Sequence, residues 1–204
     1  MRVSQCVVCK EFPCRDIRRE RHIVPGISLQ PDLISIALIS EAAPEQRSDY
    51  YYSKGDALFQ RTTVAAFNQA GVNVASVKEI VERGIYLTTA VKCGKTSYGI
   101  QTETIRECSL LLEKELALFP GLKAILLMGD VAIRAFNYIA LRLEGKRTIP
   151  AGSTYRIRAQ RCFFRGIRVF PSYLQAGPSF FIEKSKQRMI AEDIAAAIGL
   201  APAR

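Results

Sequence analysis

Four short apolar runs, alternating with stretches of helical periodicity, constrain this chain more than any other feature. Residues 33–39 form a β-rich run bounded by Pro31 and Pro44; 84–91 and 124–128 are two more, and 167–170, ended by Pro171, is the fourth. Runs of this length between turn formers read as strands buried on both faces. Helical patterns separate or follow them: 58–70 closing at Gly71, 102–118 with Ile105, Leu112, Leu116 and Phe119 on one stripe, and 130 to about 143 with Asp130 as N-cap. The last is 182–198, with Ile190, Ile194 and Ile198 four apart. Parallel strands need crossover helices that cover both faces of the sheet. The pattern therefore predicts an α/β fold, a three-layer α/β/α sandwich with a four-stranded, mainly parallel central sheet. Residues 145–166 break the alternation with Pro150, Gly152 and Ser153 and short paired runs.

A chain of 204 residues can bury a full core without cross-links. Nothing approaches the ~20 consecutive apolar residues of a membrane span, and Arg2 is not followed by an apolar signal core. The expectation is one cytoplasmic domain over 1–204, with no membrane and no obligate protein partner inferred, and 1–30 packed on it as a cysteine-rich leader. The formal net charge is +10. Residues 142–168 carry eight basic side chains (among them Arg156 and Arg158) against Glu144 alone. Such a field attracts polyanions, and arginine forks onto phosphate oxygens, so nucleic acid is the favoured partner; a merely solvated surface is the plain reading.

The cysteines stand at 6, 9, 14, 93, 108 and 162. A reducing compartment does not keep a disulfide framework. Cys162, beside Phe163 and Phe164, reads as a small buried hydrophobe. Cys6, Cys9 and Cys14 lie in a polar, arginine-rich leader where burial does not explain them. Together with Cys93 and Cys108 they are candidates for a four-coordinate thiolate centre, zinc or iron–sulfur. His22 is the only histidine, which excludes a site with two histidine ligands.

In parallel sheets ligands sit beyond the carboxyl ends of the strands. Those ends carry Ser40-Glu41, Thr88-Thr89, Met128-Gly129-Asp130 and Phe170-Pro171-Ser172. The order of motifs resembles the uracil-DNA glycosylase superfamily, and most of all its iron–sulfur-containing branch. The motifs are Ile23-Val-Pro-Gly26 after the cysteine-rich leader, Ser40-Glu-Ala-Ala-Pro44, Gly55-Asp-Ala-Leu-Phe59, Val91-Lys-Cys93, Glu107-Cys108, Met128-Gly129 and Phe170-Pro-Ser-Tyr-Leu174. The resemblance implies a [4Fe–4S] cluster held by two leader cysteines plus Cys93 and Cys108, structural in role. Cys6 with Cys9 and Cys9 with Cys14 compete for the leader places.

It also implies DNA as partner, single-stranded DNA or RNA included, and base flipping followed by N-glycosidic hydrolysis. Glu41 is then the water-activating carboxylate. Ala42, Phe59, Thr89, Phe170 and Ser172 form the base pocket, with Phe59 free to stack on a planar base. Tyr173, Leu174, Arg156 and Arg158 contact DNA. The sequence departs from the family where Phe170 replaces a histidine donor and Thr89 replaces an asparagine. A hydroxyl cannot reproduce an amide's paired donor and acceptor, and a lost donor costs ~10²–10³ in rate. Uracil excision by the family mechanism is therefore expected to be weak or absent. The readings carried forward are an N-glycosylase of altered substrate, with Asp49 and Tyr50-Tyr51-Tyr52 shaping the pocket or forming a surface loop, and a non-catalytic iron–sulfur binding module with a degenerate pocket. A small-ligand hydrolase resting on Glu41, Asp49 and Asp130 is a third.

Overall fold

The computed structural model describes residues 1–10, 13–96 and 99–201. In chain order the helices and strands are α1 (Val3–Cys6), β1 (Ile17–Arg18), β2 (Ile36–Ala43), α2 (Leu58–Gln69), α3 (Val77–Glu82), β3 (Ile85–Lys95), α4 (Thr102–Leu116), β4 (Ala124–Met128), α5 (Asp130–Glu144), α6 (Thr154–Ile157), β5 (Cys162–Phe164), β6 (Ile167–Ser172) and α7 (Lys184–Ile198). The sheet has six strands in the order β1-β3-β2-β4-β6-β5, which corrects the expected four. The four predicted strands make the parallel centre. Two short antiparallel strands extend it: β1 on Lys95 and Gly94, and β5 on the start of β6.

Alternation along each strand divides the core into two layers. Ala37 and Ile39 of β2 face α4 and α5, with Ile125, Leu127 and Phe136. Ile36 and Leu38 face the other way, toward α2 and α7, with Leu126, Phe67 and Ile194. Successive side chains in a strand point to opposite faces, so each buried strand supplies both layers. No helix among the described residues is long and apolar enough to cross a membrane.

Several boundaries move for local reasons. α5 is capped by Gly129, not Asp130: its φ of 100° needs a residue without Cβ. Pro171 does not end β6, which runs on to Ser172 with Pro171 in register opposite Leu127. α7 starts at Lys184 because the 3-10 turn Pro178–Phe181 precedes it, leaving Ile182 exposed. In the leader, the terminal ammonium donates to the Leu29 carbonyl at 2.8 Å, and the buried Asp16 carboxylate accepts from Gln101 N–H at 2.6 Å and from the Thr104 hydroxyl. Asp16 thereby caps α4 from outside the helix, satisfying donors the helix cannot pair itself.

Candidate functional site

From β2 the chain leaves toward β3 on one side, whereas from β4 it leaves toward β6 on the other. A crevice between carboxyl ends is expected at such a switch point. A cavity of about 300 Å³ opens there, lined by Glu41, Gly129, Asp130, Thr154, Ser172, Tyr173 and Leu174, with Glu183, just before α7, and Lys186, within α7, also in the lining. Glu41 rests on the amino end of α5. Val131 N–H donates to its Oε1 at 3.4 Å, and the Asp130 N–H also reaches the carboxylate. The helix dipole and free N–H groups favour an anion at this position. Burial nevertheless holds the Glu41 carboxyl above the usual range, against the lowering effect of those N–H groups and Lys95. The approach depends on Gly129: a Cβ there would lie 2.5 Å from Glu41 Oε1.

Of the sequence-predicted residues, Glu41, Ser172, Tyr173 and Leu174 share this cleft, and the Lys186 ammonium lies 5.4 Å from the Tyr173 ring centroid. The remaining pocket candidates do not line it. Phe59, Thr89 and Phe170 belong to the buried layer on the α2/α7 side, and Ala42 packs against the opposite layer. On that α2/α7 face Ser40 pairs in register with Thr89, and both are fully buried. The space in front of them holds Tyr51. Its hydroxyl shares a hydrogen bond with Ser40 Oγ and accepts from Gln175 Nε2 at 3.0 Å, while its ring lies 5.3 Å from Phe59. Tyr51 and Gln175 are both fully buried, and Thr89 Oγ1 has no hydrogen-bond partner among the described residues. A six-membered ring, its oxygen read by a hydroxyl and an amide, thus occupies the face assigned to a base.

Arg158 is turned inward. It donates to Asp193 at 3.2 and 2.8 Å and to Glu192 at 3.0 Å, and Asp193 in turn accepts from Ser172 Oγ at 2.5 Å. That guanidinium holds α7 to the end of β6, whereas Arg156 is exposed. Asp49 accepts from Leu58 N–H at 3.2 Å, at the start of α2, and Asp130 pairs with Arg134 at 3.9 Å.

The cysteines divide in the same way. Cys6 is exposed at the end of α1. Cys14 and Cys108 are in hydrogen-bond contact, and Cys93 lies within electrostatic reach of Cys9, Cys14 and Cys108. The Cys108 hydrogen bond brings the Cys14 thiol down to about 6, burial pushes Cys93 up to about 12, and Cys108 is raised by its bond to Cys14 and by burial. His22 Nδ1 stands 3.5 Å from Cys93 Sγ. The donor set is all thiol, which suits zinc or an iron–sulfur cluster. Among the described residues, however, no three His, Cys, Asp or Glu side chains are gathered closely enough to hold a metal ion.

Sequence reading also missed a buried ion pair beside this region. Lys92 and Glu115 are both fully buried and in contact; Lys92 Nζ also donates to Thr88 Oγ1 at 2.8 Å, and Tyr86 Oη to Glu115 Oε1 at 2.5 Å. Buried charges persist only when paired and hydrogen-bonded. The signal was a lone charge in each of two apolar patterns: Lys92 in a continuous strand, and Glu115 three residues after Leu112 on the helix stripe.

The model of the Uracil DNA glycosylase superfamily matches residues 29–194. The chain belongs to that superfamily and is a uracil-DNA glycosylase-like protein. No curated protein matches it.

Proposed function

We propose that the protein binds DNA across the cleft at the carboxyl end of the sheet and hydrolyses the N-glycosidic bond of a damaged or deaminated base, with Glu41 activating the water. The observation that carries this reading is the Glu41 carboxylate, held on the amino end of α5 in an open cleft with Ser172, Tyr173 and Leu174. In the step, water oxygen bonds to the sugar C1′ as the bond to the base nitrogen breaks. Glu41 takes the water proton, and the electron pair leaves with the base. Phe170 offers no donor to that departing anion, so uracil is a poor substrate and bases with a better leaving group are favoured.

We further assign Cys9, Cys14, Cys93 and Cys108 as the ligands of a [4Fe–4S] cluster, zinc being the alternative; contact between Cys14 and Cys108 and their nearness to Cys93 support this set over one with Cys6. Such a centre would tie the leader to β3 and α4 and supplies no chemistry to the cleft. Brown protein absorbing in the blue, with iron, is expected; colourless, zinc-loaded protein would replace that assignment. Six cysteines without a disulfide among the described residues fit a reducing, cytoplasmic setting.

Tyr51 favours a second reading, a binding module without catalysis, because it fills the face a base would enter. Incubation with single- and double-stranded DNA carrying uracil, hypoxanthine or xanthine separates the two. The expected result is release of hypoxanthine or xanthine in preference to uracil, reduced at least ~10²-fold in Glu41→Gln. Salt-dependent DNA binding with no base released by the parent protein establishes the second reading instead.

A further inference from the structure

We propose that the hairpin at the outer edge of the sheet is a separate contact for single-stranded nucleic acid, built on Phe163 and Tyr155 with Arg161 and Arg165. The inference takes only its class of partner from the reading above, and it does not require catalysis. β5 is the last strand of the sheet, and its central residue, Phe163, is 55 % exposed; Tyr155, at the cleft end of the same segment, is 70 % exposed. Residues 145–182 contain seven Lys and Arg and no Asp or Glu. Three of the seven have protein partners: Arg158 and Arg168 through close hydrogen bonds, and Arg165 through long contacts to Leu143 and Glu144. Arg156 and Arg161 are exposed, the first next to Tyr155 in the chain and the second two residues before Phe163.

Cations on an edge strand often serve only to discourage pairing with another sheet. That purpose does not account for two exposed aromatic rings among them, which would promote association. Phe163 is also held ready. It pairs in register with Arg168, whose guanidinium lies 5.5 Å from the Phe163 centroid and 4.4 Å from that of Phe170. One face of the ring is therefore backed by a fixed cation and the other is open to solvent. An open ring face flanked by arginines is the arrangement on which unpaired bases stack while their phosphates are neutralised. Paired bases cannot reach it, which favours a single strand over a duplex.

The turn gives an independent sign. Arg165 and Gly166 connect β5 to β6 with φ of 49° and 80°, and Arg165 is the one non-glycine residue with positive φ among the described residues. Two positive φ values in a two-residue hairpin favour Asn-Gly or Gly-Gly, so arginine at the first place is the costlier choice for folding. Its guanidinium stays exposed beside the tip, where it donates to the Leu143 carbonyl at 3.5 Å, lies 5.4 Å from the Phe164 centroid and has Glu144 at 3.9 Å. β6 spans Ile167–Ser172, so the tip lies roughly 17 Å from the cleft at ~3.3 Å per residue. A strand leaving the cleft past Tyr155 and Arg156 would run along this edge.

Fluorescence anisotropy with a labelled 20-nucleotide oligothymidylate and the full chain, over a salt series, tests the proposal. Phe163→Ala is expected to weaken binding about tenfold, the cost of one lost stacked base. Arg161→Ala with Arg165→Asn should lower the slope of log affinity against log salt by about 1.4, two phosphates at ~0.7 each. Arg165→Asn alone should leave Tm unchanged or higher, so that loss of binding is not loss of fold. Full-strength binding by both variants overturns the proposal, as does a parent protein that does not bind the oligonucleotide. Equal losses with a duplex of the same sequence, or displacement by polyglutamate as effective per charge as by oligothymidylate, would also overturn it. Because Phe163 and Arg165 are remote from Glu41, failure here leaves base release intact, and failure of base release leaves this binding intact.

Discussion

Ser40 and Glu41 are neighbours in one strand, yet they open onto opposite kinds of space. Glu41 faces the open cleft and is held by backbone N–H groups of α5. Ser40 faces the α2/α7 layer, where Tyr51 and Gln175 complete a sealed polar cluster. The two-residue period of a strand imposes the division, since adjacent side chains cannot serve the same face. The residues proposed for catalysis and those proposed to read a base therefore lie on separate faces of the sheet. One is open and charged here. The other is filled by the chain's own aromatic ring.

The sharpest break of that contrast is Tyr51→Ala. Removing a large, fully buried aromatic ring costs about 3–5 kcal/mol, part of it the cavity left behind. Ser40 and Gln175 would lose a shared partner as well. Chemical denaturation should record that loss with little change in the spectrum of the folded state. Added phenol should raise Tm in Tyr51→Ala and not in the parent, because a ligand that enters only the folded variant stabilises it by mass action. A loss below about 1 kcal/mol, or an equal phenol effect in both proteins, would show that the face is not filled in the way described.

Much of this arrangement was legible beforehand because it follows from periodicity. The central strands were visible as apolar runs, and Glu41, Ser172, Tyr173 and Leu174 fell together because parallel strands carry their ends to one side. β1 and β5 were not, being two and three residues long, below the length at which alternation means anything. The position of Tyr51 depends on how the loop after β2 turns back over the sheet, and three consecutive tyrosines do not say which of them goes inside. Cysteine spacing suggested a thiol centre, and did not tell that Cys14 of the leader, rather than Cys6, is the one in contact with Cys108. Asp16 binding the start of α4 is what sets the path of the leader, a contact across 85 residues that no local pattern reveals.

A milder probe acts on the open half. Gly129→Ala puts a Cβ 2.5 Å from Glu41 Oε1 and forces alanine to a φ of 100°. Together these should cost about 1–3 kcal/mol. The two contributions separate in a double-mutant cycle with Glu41→Ala. The clash disappears with the carboxylate and the backbone strain does not, so the cost of Gly129→Ala should fall in that background without vanishing. Strict additivity would mean that Glu41 does not rest against this turn.

The smallest effect is the most specific to Glu41. Burial raises its carboxyl above the usual range, so ionisation is harder in the folded protein than in the unfolded chain. A raised carboxyl contributes stability at pH values below its unfolded value and loses that contribution as pH climbs through the folded one. Glu41→Gln removes the loss. The variant should therefore melt higher than the parent at neutral pH, by no more than about 2–4 °C for a chain of this size, with the difference shrinking toward zero below about pH 4. In the reaction proposed above the same ionisation would govern the activation of water, so base release by the parent should rise with pH through a midpoint above that of an ordinary glutamate. A variant that melts lower than the parent at neutral pH would mean that the α5 N–H groups outweigh burial, and that the open side of the sheet stabilises its anion rather than straining it.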